Sequence, residues 1–550
     1  MHGERVWKLV ALAMLVALAG FSEILAVSRI FQVDELQNIY TARLIGVGAD
    51  HSYIASAPLL VLGPLAWLTA SVDAAADILL VGRLLFLPLF WLNVALIVVA
   101  AGLHLRSKVG VAALVASSTI APLWDYGFEV RHDNVLVALG LAGFCLARLP
   151  WKREWAARFG VGVVSALMQF TALKAFVYWI PIILIALIVD RASARPSRST
   201  RVLVIAAGMV VGTAFIIATH ILGGTWDIFS ADTQALFSVA RGAERFSPMP
   251  TLARMLGQSP LYLAALVVTV AWLIGPRGRR VLHAKDGGLL PELIWCLAGW
   301  GALLVNPTPF PYNLVLLVPQ GAVLLIRTLS SVQGAVLPRN VLALLGLVHL
   351  MTWANATSRH LDATNDRQMQ LIDLAEALTD PHLHRVLDGA GLVASRLPPG
   401  PKWLIHMLTL PSFANGTFPP FRAQLSSSST PVVILSYRVA SLAPEDRAFI
   451  TTHYVPLAGD FWVAGVERRN SAASWDCLVE GRYFVEVEGE GAVLLGAVPL
   501  TTGIMQFARG EHQLRVADGA SARIYWLGPT VDGPLRIPPG EPQAVFVNWY

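Results

Sequence analysis

Charged residues are scarce in this sequence. Asp, Glu, Lys and Arg make up 14% of its 550 residues, whereas hydrophobic residues make up 55%. Soluble domains carry about 25% charged residues, so the composition excludes a wholly soluble protein and indicates that most of the chain lies in lipid. The net charge of +5 is modest, and we expect no nucleic-acid partner.

Cysteine is rare as well, and the three residues Cys145, Cys296 and Cys477 are widely spaced. This spacing offers neither a disulfide framework nor a zinc site. No inverted repeat is visible along the chain. The chemistry of the protein therefore has to come from its few charged residues.

The sequence contains instead a series of apolar segments that approach or reach the roughly 20 residues needed to span a bilayer. They cover residues 9–27, 79–103, 109–124, 133–148, 159–175, 174–190, 202–222, 258–275, 288–305, 311–328 and 340–356. Arg and Lys gather in every second loop, as the positive-inside rule requires of cytoplasmic loops. We predict a polytopic α-helical membrane protein with about 11 transmembrane helices, in a bacterial inner membrane, with its N-terminus in the cytoplasm.

One further apolar segment, residues 57–71, contains Pro58, Gly63 and Pro64. Counting it as a span would place every later basic loop on the outer side of the membrane. We therefore predict interfacial helices within a long first outer loop, residues 28–78.

The composition changes to that of a soluble domain near residue 356. A helical pattern over residues 361–378 is followed by short β-rich runs, with turn glycines such as Gly489 and Gly519 between them. We predict a transmembrane domain over residues 1–356 and an extracytoplasmic α+β domain over residues 357–550, which is β-rich and ends in a small β-sandwich.

Several charged residues stand at the outer ends of apolar segments. Asp34 and Glu35 follow the first segment, where a charged pair is costly unless it is hydrated, paired or used; the alternative is that they start an interfacial helix. Lys174 interrupts an apolar run on the outer side and is either a snorkelling lysine or a ligand for an anion such as a lipid phosphate. Arg83 also suggests a ligand for an anion, although more weakly.

The order of these features resembles that of the integral-membrane GT-C glycosyltransferases, in particular the branch of protein O-mannosyltransferases and lipid A aminoarabinose transferases. The resemblance covers most of residues 1–330. It rests on five motifs: Val33-Asp34-Glu35, Ala57-Pro58-Leu59, Arg131-His132-Asp133, Leu173-Lys174-Ala175, and Pro311-Tyr312 with the later Pro319.

The resemblance implies a GT-C-like fold and a sugar donor carried on polyprenyl phosphate. It further implies inverting transfer to a hydroxyl of a glycan, lipid or protein acceptor at the outer face of the membrane. By position, Asp34 would be the general base with Glu35 beside it. Lys174, Arg131 and Arg83 would bind the donor phosphate.

Other positions are assigned to the substrate. Asp133 and Tyr312 belong to matching motifs and would contact it, although Asp133 has the alternative role of fixing Arg131. Where aminoarabinose transferases have an acid and a lysine before paired prolines, this chain has Ser56-Ala57-Pro58. That departure argues against aminoarabinose as the sugar and leaves His51 or Asp50 as substitutes.

One essential carboxylate is sufficient for this chemistry. A glycoside hydrolase needs a second carboxylic acid for its poor leaving group, but a phosphate leaves without protonation when cations neutralise it. Asp34 and Glu35 could together recruit Mg²⁺ or Mn²⁺, but no third ligand is identifiable, so a divalent cation is kept as an alternative cofactor and no residue is assigned to it.

Two other classes compete with the enzyme. A transporter or flippase of a lipid-linked sugar would use the same cations, but transporters tend to have internal repeats and broken helices near the midplane. A ligase or polymerase of lipid-linked glycans is expected to place arginines and a histidine in a large outer loop. The loop 223–257 has Arg241, Arg245 and Arg254 but no histidine, so this class ranks third.

Overall fold

A computed structural model describes residues 2–49, 58–151, 153–189, 197–227, 229–230, 246–284, 288–306, 308–331, 339–406, 409–540 and 545–546. In the described residues before residue 363 the regular elements are helices. The α-helices are α1 His2–Ser28, α2 Val33–Gly46, α3 Pro58–Thr69, α4 Ala75–Ala100, α5 Lys108–Ser118, α6 Ala121–Tyr126, α7 His132–Arg148, α8 Glu154–Thr171, α9 Phe176–Ile188, α10 Arg198–Leu222, α11 Met249–Gln258, α12 Pro260–Ile274, α13 Pro276–Leu282, α14 Leu290–Val305, α15 Leu314–Ser331 and α16 Arg339–Asp362. Short 3₁₀ turns, Leu173–Ala175 and Pro311–Asn313, precede α9 and α15.

Several of these helices are long and apolar enough to cross a membrane, so the chain is a multi-pass membrane protein. In the described residues there are four: Leu9–Ser28 of α1, α4, α10, and Pro311–Ser331, which ends with α15. A fifth forms if α11 and α12, which are bent by 108° at Ser259, count as one span. Each predicted segment lies on helical structure, while the count of about eleven spans stays a prediction.

The apolar segment after the first span forms α3, which has 12 residues. At about 1.5 Å per residue it is roughly 18 Å long, well short of the ~30 Å hydrocarbon core. It therefore cannot cross a bilayer as a straight helix. The assignment of residues 57–71 to an outer loop stays a prediction.

Helices α8 and α10 approach each other closely because glycines face each other across their contact. A Cβ atom on Gly162 would lie 2.1 Å from the carbonyl oxygen of Ile205, and one on Gly208 would lie 2.1 Å from that of Phe159. Gly208 and Gly212 are four residues apart on one face of α10. Small residues at this spacing let helix backbones pack in lipid.

The C-terminal region is an α+β structure, rich in strands as predicted. Its helices are α17 Asp366–Leu378, α18 Leu410–Ala414, α19 Phe421–Ser427, α20 Tyr437–Ala440 and α21 Pro444–His453. Its strands are β1 Val386–Leu387, β2 Val432–Ile434, β3 Tyr454–Pro456, β4 Phe461–Arg469, β5 Ala472–Cys477, β6 Gly481–Gly489, β7 Val493–Leu495, β8 Val498–Pro499, β9 Gly503–Phe507, β10 Gly510–Val516 and β11 Ala520–Trp526.

These strands form two sheets. The larger has the order β1-β2-β4-β11-β6-β9, with β3 also paired to β4, and the smaller has the order β5-β10-β7-β8. The β1–β2 pair is parallel and the other pairs are antiparallel. Buried residues of both sheets, such as Ile524 and Leu514, belong to one hydrophobic core.

That core also includes described residues of the segment that follows α1. Leu36 and Ile39 of α2 and Leu65 of α3 lie in the same buried cluster as Leu371 and Ile405 of the C-terminal region. A second cluster, with Trp124 and Phe144 among its members, fills the space between the membrane helices. Helices α2 and α3 therefore pack as part of the C-terminal structure.

Gln368 of α17 connects the end of α1 to the C-terminal region. Its side chain is fully buried. Its Oε1 accepts a hydrogen bond of 2.7 Å from the backbone N–H of Phe31, and its Nε2 donates to the carbonyl oxygens of Phe31 and Val545, each at 2.9 Å. The backbone three residues before Asp34 is thus fixed by a residue far along the chain.

Replacing Gln368 by alanine should destabilise the protein by about 2–4 kcal/mol, since buried backbone groups lose their partners and each unsatisfied group costs about 1–3 kcal/mol. The measurement is thermal unfolding of the detergent-solubilised protein followed by tryptophan fluorescence. Gln506→Ala, at an exposed position of β9, is the matched control and should leave the unfolding temperature unchanged. Equal stability of the two variants would contradict this account of the junction.

Candidate active site

Asp34 lies in the first turn of α2, directly after the chain leaves α1. Its Oδ2 is 2.9 Å from Nη1 of Arg131, and 24% of its side chain is exposed. Its backbone carbonyl accepts a hydrogen bond from Asn38, which also donates to the carbonyl of Val130. Asp34 is thus a partly accessible carboxylate held against the loop that precedes α7.

Glu35 faces the opposite way and is fully buried against Arg83 of α4. Arg83 Nε and Nη2 donate to the two carboxylate oxygens of Glu35 at 2.9 and 2.8 Å, and both side chains have 0% exposure. The Arg83 guanidinium also donates to backbone carbonyls at the end of α1, including that of Ile30 at 2.7 Å, and lies 3.7 Å from the centre of the Phe31 ring.

This geometry disagrees with the direct roles predicted for two residues. A phosphate reaching Arg83 would have to displace Glu35 and the carbonyls from a site closed to solvent. Glu35 in turn offers no accessible oxygen to a substrate. The pair is a structural clamp that joins α1, α2 and α4.

Arg131 lies at the N-terminus of α7 and connects Asp34 to the rest of the site. Only 4% of its side chain is exposed. Its Nε is 3.5 Å from Oδ2 of Asp133, and its guanidinium lies 4.1 Å from the centre of the Tyr312 ring. The cation–π contact with Tyr312 and the carboxylates of Asp34 and Asp133 fix the orientation of Arg131. Its guanidinium group contacts Asp34, the predicted base, directly.

Lys174 stands in the short turn between α8 and α9. Its Nζ is 2.7 Å from Oδ1 of Asp133, donates to Oδ1 of Asn313 at 3.0 Å, and lies 4.9 Å from the centre of the Tyr312 ring. A quarter of its side chain, 25%, is exposed. Lys174 is therefore the most accessible cation of the group.

The structure brings Asp34, Arg131, Asp133 and Lys174 into one row of alternating charges, and Tyr312 lies beside this row. Asp133 has 0% exposure, so it positions Arg131 and Lys174 rather than touching a substrate, which disagrees with the contact predicted for it. Tyr312 is half-buried and carries both cations on its ring. His51 and Asp50 lie outside the described residues.

The two neighbouring carboxylates do not form a metal site. Both oxygens of Glu35 are bound by Arg83, and Asp34 is directed toward Arg131. No group of three or more His, Cys, Asp or Glu side chains suited to a metal occurs in the part of the chain that the structure describes. The donor set does not fit an Mg²⁺ or Mn²⁺ ion shared by Asp34 and Glu35.

The charge around Asp34 also comes from the C-terminal region. Burial raises the pKa of Asp34, but the positive charge of Arg131, together with that of Arg438 and of His406 in its protonated form, outweighs burial and leaves that pKa below its ordinary value. The carboxylate is therefore ionised at neutral pH. No sequence pattern indicated His406 or Arg438, because neither lies in a motif and both are far from Asp34 along the chain.

A second buried carboxylate, Asp125 of α6, was also missed. It accepts hydrogen bonds from Gln258 at 2.9 Å and Arg254 at 3.1 Å, and from Arg359 at 2.6 and 2.7 Å, and Nε2 of His360 lies 2.9 Å away. This cluster joins α6 to α11 and α16. Asp125 could have been suspected from its polar loop, but its partners could not.

The opposite end of the helix bundle carries the basic residues. Arg148, at the end of α7, donates to Glu292 of α14 at 2.9 Å, and Arg327 of α15 is 4.0 Å from the same carboxylate. Helices α7 and α15 both begin at the site and end here. The loops with basic residues and the loops with site residues alternate along the sequence. In the structure they therefore lie at opposite ends of the bundle.

The membrane helices and the β-rich C-terminal region together form a GT-C fold, as predicted. No protein-family model matches the sequence, and a search of curated proteins finds no match. Among solved structures the chain is similar to ArnT from Cupriavidus metallidurans bound to undecaprenyl phosphate, at 13% identity and a TM-score of 0.50, covering 83% of this chain and 98% of ArnT. At this identity the likeness establishes the fold alone.

The oligosaccharyltransferase AglB of Archaeoglobus fulgidus, solved with an inhibitory peptide and a dolichol-phosphate, also aligns with the chain. It is 14% identical, with 87% of this chain and 73% of AglB covered, and the TM-score is 0.42. That score is too low to carry an argument about this protein.

The clamp predicts a clear result for Arg83→Met. Leaving Glu35 buried without its partner should cost about 3–5 kcal/mol of stability. The added change Glu35→Gln should cost less than the sum of the two single changes, because the residues are in direct contact. Thermal unfolding in detergent gives these values, with the exposed Arg106→Met as the control.

A phosphate-binding Arg83 would behave differently. In that case Arg83→Met would keep the unfolding temperature and lose affinity for undecaprenyl phosphate, measured by calorimetry on the same preparation. That pattern would contradict the assignment of Arg83 to the clamp.

Proposed function

We propose that this protein is an inverting glycosyltransferase that moves a sugar from a polyprenyl-phosphate donor to an acceptor hydroxyl. The observation that carries the proposal is the row of charges from Asp34 through Arg131 and Asp133 to Lys174. It sets a partly exposed carboxylate and a partly exposed ammonium group at opposite ends of one rigid array. A base for an acceptor and a cation for a leaving phosphate are what this reaction needs.

The proposed step breaks the bond between the anomeric carbon and the phosphate oxygen. The phosphate leaves with the electron pair, the acceptor oxygen bonds to the anomeric carbon from the opposite face, and the acceptor proton passes to Asp34. The transition state resembles an oxocarbenium ion. Asp34, ionised at neutral pH, is a weak base, so it acts mainly by orienting the hydroxyl and accepting its proton late, while positioning supplies much of the rate.

Lys174 is the residue we assign to the donor phosphate. Its ammonium group is accessible and is held in place by Asp133, Asn313 and the ring of Tyr312. A preorganised cation stabilises the charge that develops on the leaving phosphate at little reorganisation cost. Arg131 serves both ends, since it holds Asp34 directly and adds positive charge beside Lys174.

The location follows from the same arrangement. All charged residues of the site lie at the end of the bundle that carries the β-rich region, and the basic loops lie at the other end. With basic loops in the cytoplasm, transfer takes place at the outer face of a bacterial inner membrane. The donor enters from the lipid, and the acceptor, a glycan, lipid or protein, arrives from the side of the C-terminal region.

Asp34→Asn should abolish most transfer while donor binding persists. Loss of a general base lowers rates by about a hundred- to ten-thousand-fold, and the asparagine keeps the size of the side chain. The assay uses protein in lipid with a panel of radiolabelled polyprenyl-phosphate sugars and an envelope extract, and follows label from the lipid to an extract component. Asp77→Asn, an exposed acid in the first turn of α4, is the matched control.

A transporter would give the opposite pattern in this assay. Donor that binds but is never consumed by the wild type would refute the transferase, and flipping in sealed vesicles would then be measured. Full transfer by Asp34→Asn would remove Asp34 from the role of base.

The rate should also depend on pH through Asp34. Because its folded pKa is lowered, its base form is present at neutral pH and is lost only as the pH falls through a value below the ordinary aspartate pKa of about 3.9. In Arg131→Gln the largest lowering charge is gone and burial remains, so the acid limb of kcat should move to higher pH. An unmoved limb would separate Asp34 from the titration that controls the rate.

A further inference from the structure

The C-terminal region packs directly against the helix that carries Asp34. The ring of Trp403 meets that of Tyr40 edge to face, with 4.6 Å between ring centres, and the Tyr40 hydroxyl donates to the carbonyl of Arg396 at 2.6 Å. Ile405 belongs to the same buried cluster as Leu36 of α2. This contact places the segment that ends at His406 next to α2, and Tyr437 of the short helix α20 packs against the same hydrophobic cluster.

Arg438, on α20, is a cation without a carboxylate partner. It is half-buried, and no carboxylate of the described residues lies within ion-pair distance of its guanidinium group. Its Nε is buried and has no hydrogen-bond partner in that part of the chain. The guanidinium lies 5.2 Å from the centre of the Tyr437 ring, which holds it in place.

Arg438, and His406 in its protonated form, lie near enough to Asp34 to lower the pKa of its carboxyl group. Burial lowers the pKa of His406 to about 4, although Asp34 opposes this change. At neutral pH His406 is therefore an uncharged hydrogen-bonding group. Arg438 is the remaining positive charge on this side of Asp34.

The two cations of the charge row have carboxylate partners, whereas Arg438 has none within ion-pair distance among the described residues. Arg131 pairs with Asp34, and Lys174 pairs with Asp133. A half-buried guanidinium without a counter-ion is costly, and its planar donors match a carboxylate or phosphate. An anionic group arriving with the acceptor would supply the missing partner.

We propose that Arg438 and His406 form an acceptor subsite on the C-terminal region, in which Arg438 binds a carboxylate or phosphate group of the acceptor and His406 contacts its sugar or hydroxyl part. The inference rests on the proposed function and narrows it to acceptors that carry negative charge close to the accepting hydroxyl. Arg438 is a binding residue in this scheme and takes no proton.

The test compares related probes with and without charge. Octyl glucoside is neutral, octyl glucuronide carries a carboxylate, and phosphorylated octyl glucoside carries a phosphate. Their binding to the full-length protein in neutral detergent is measured by calorimetry. We expect at least one charged probe to bind about tenfold more tightly than the neutral one, as a charge-assisted contact provides, and the stronger of the two identifies the anionic group.

Variants locate the effect. Arg438→Gln should remove the preference for charge, and Arg438→Lys should restore part of it. Arg469→Gln, a change at a side chain that is 74% exposed on β4, should keep the preference. Unfolding temperature and undecaprenyl-phosphate binding should be the same in all three, which separates loss of the subsite from loss of the fold.

Three outcomes would overturn the subsite. They are equal binding of all probes by the wild type, an unchanged preference in Arg438→Gln, and loss of the preference in Lys174→Met, which would put the anion in the donor site. Transfer assays keep the two proposals apart. Selective binding through Arg438 without any transfer would count against the transferase alone, and transfer with an unchanged acceptor KM in Arg438→Gln would count against the subsite alone.

Discussion

The position of Asp34 depends on an ion pair that the substrate never meets. Glu35 and Arg83 are fully buried, and such a pair is favourable only when its remaining hydrogen bonds are satisfied. Arg83 meets that condition by bonding both carboxylate oxygens and backbone carbonyls at the end of α1. Because Asp34 directly precedes Glu35 in the same helical turn, fixing one carboxylate inside directs the other toward Arg131.

In the row of charges beyond Asp34, positive and negative side chains are paired in the same way. Each cation has a carboxylate neighbour, and Tyr312 lies beneath both Arg131 and Lys174. The array is therefore ordered before a ligand arrives, and little reorganisation is needed when charge develops. The exposure of the side chains then distinguishes their roles. Asp34 and Lys174 are open to a ligand, while Arg131 and Asp133 are covered.

Local patterns were sufficient to predict the helices, the β-rich region and the residues of the charge row. Periodicity and length identified helices such as α4 and α10, and motif order identified Asp34, Arg131 and Lys174. The same patterns could not tell which of the two adjacent acids, Asp34 or Glu35, faces inward. Side chains of consecutive helical residues point in directions about 100° apart, and it is the position of Arg83 that decides which one is buried. Gln368, His406 and Arg438 were missed because only long-range packing brings them to the site.

Helix α2 and the C-terminal region share one hydrophobic core, so the order around Asp34 is complete only after the C-terminal region has folded. Helix α2 is made early, yet its buried face is completed by residues such as Leu371 and Ile405, which leave the ribosome much later. Until then Gln368 is absent from the backbone next to Asp34. If the protein acts as proposed, a partly synthesised chain would hold its helices in the bilayer without an ordered Asp34 and would leave its donor intact.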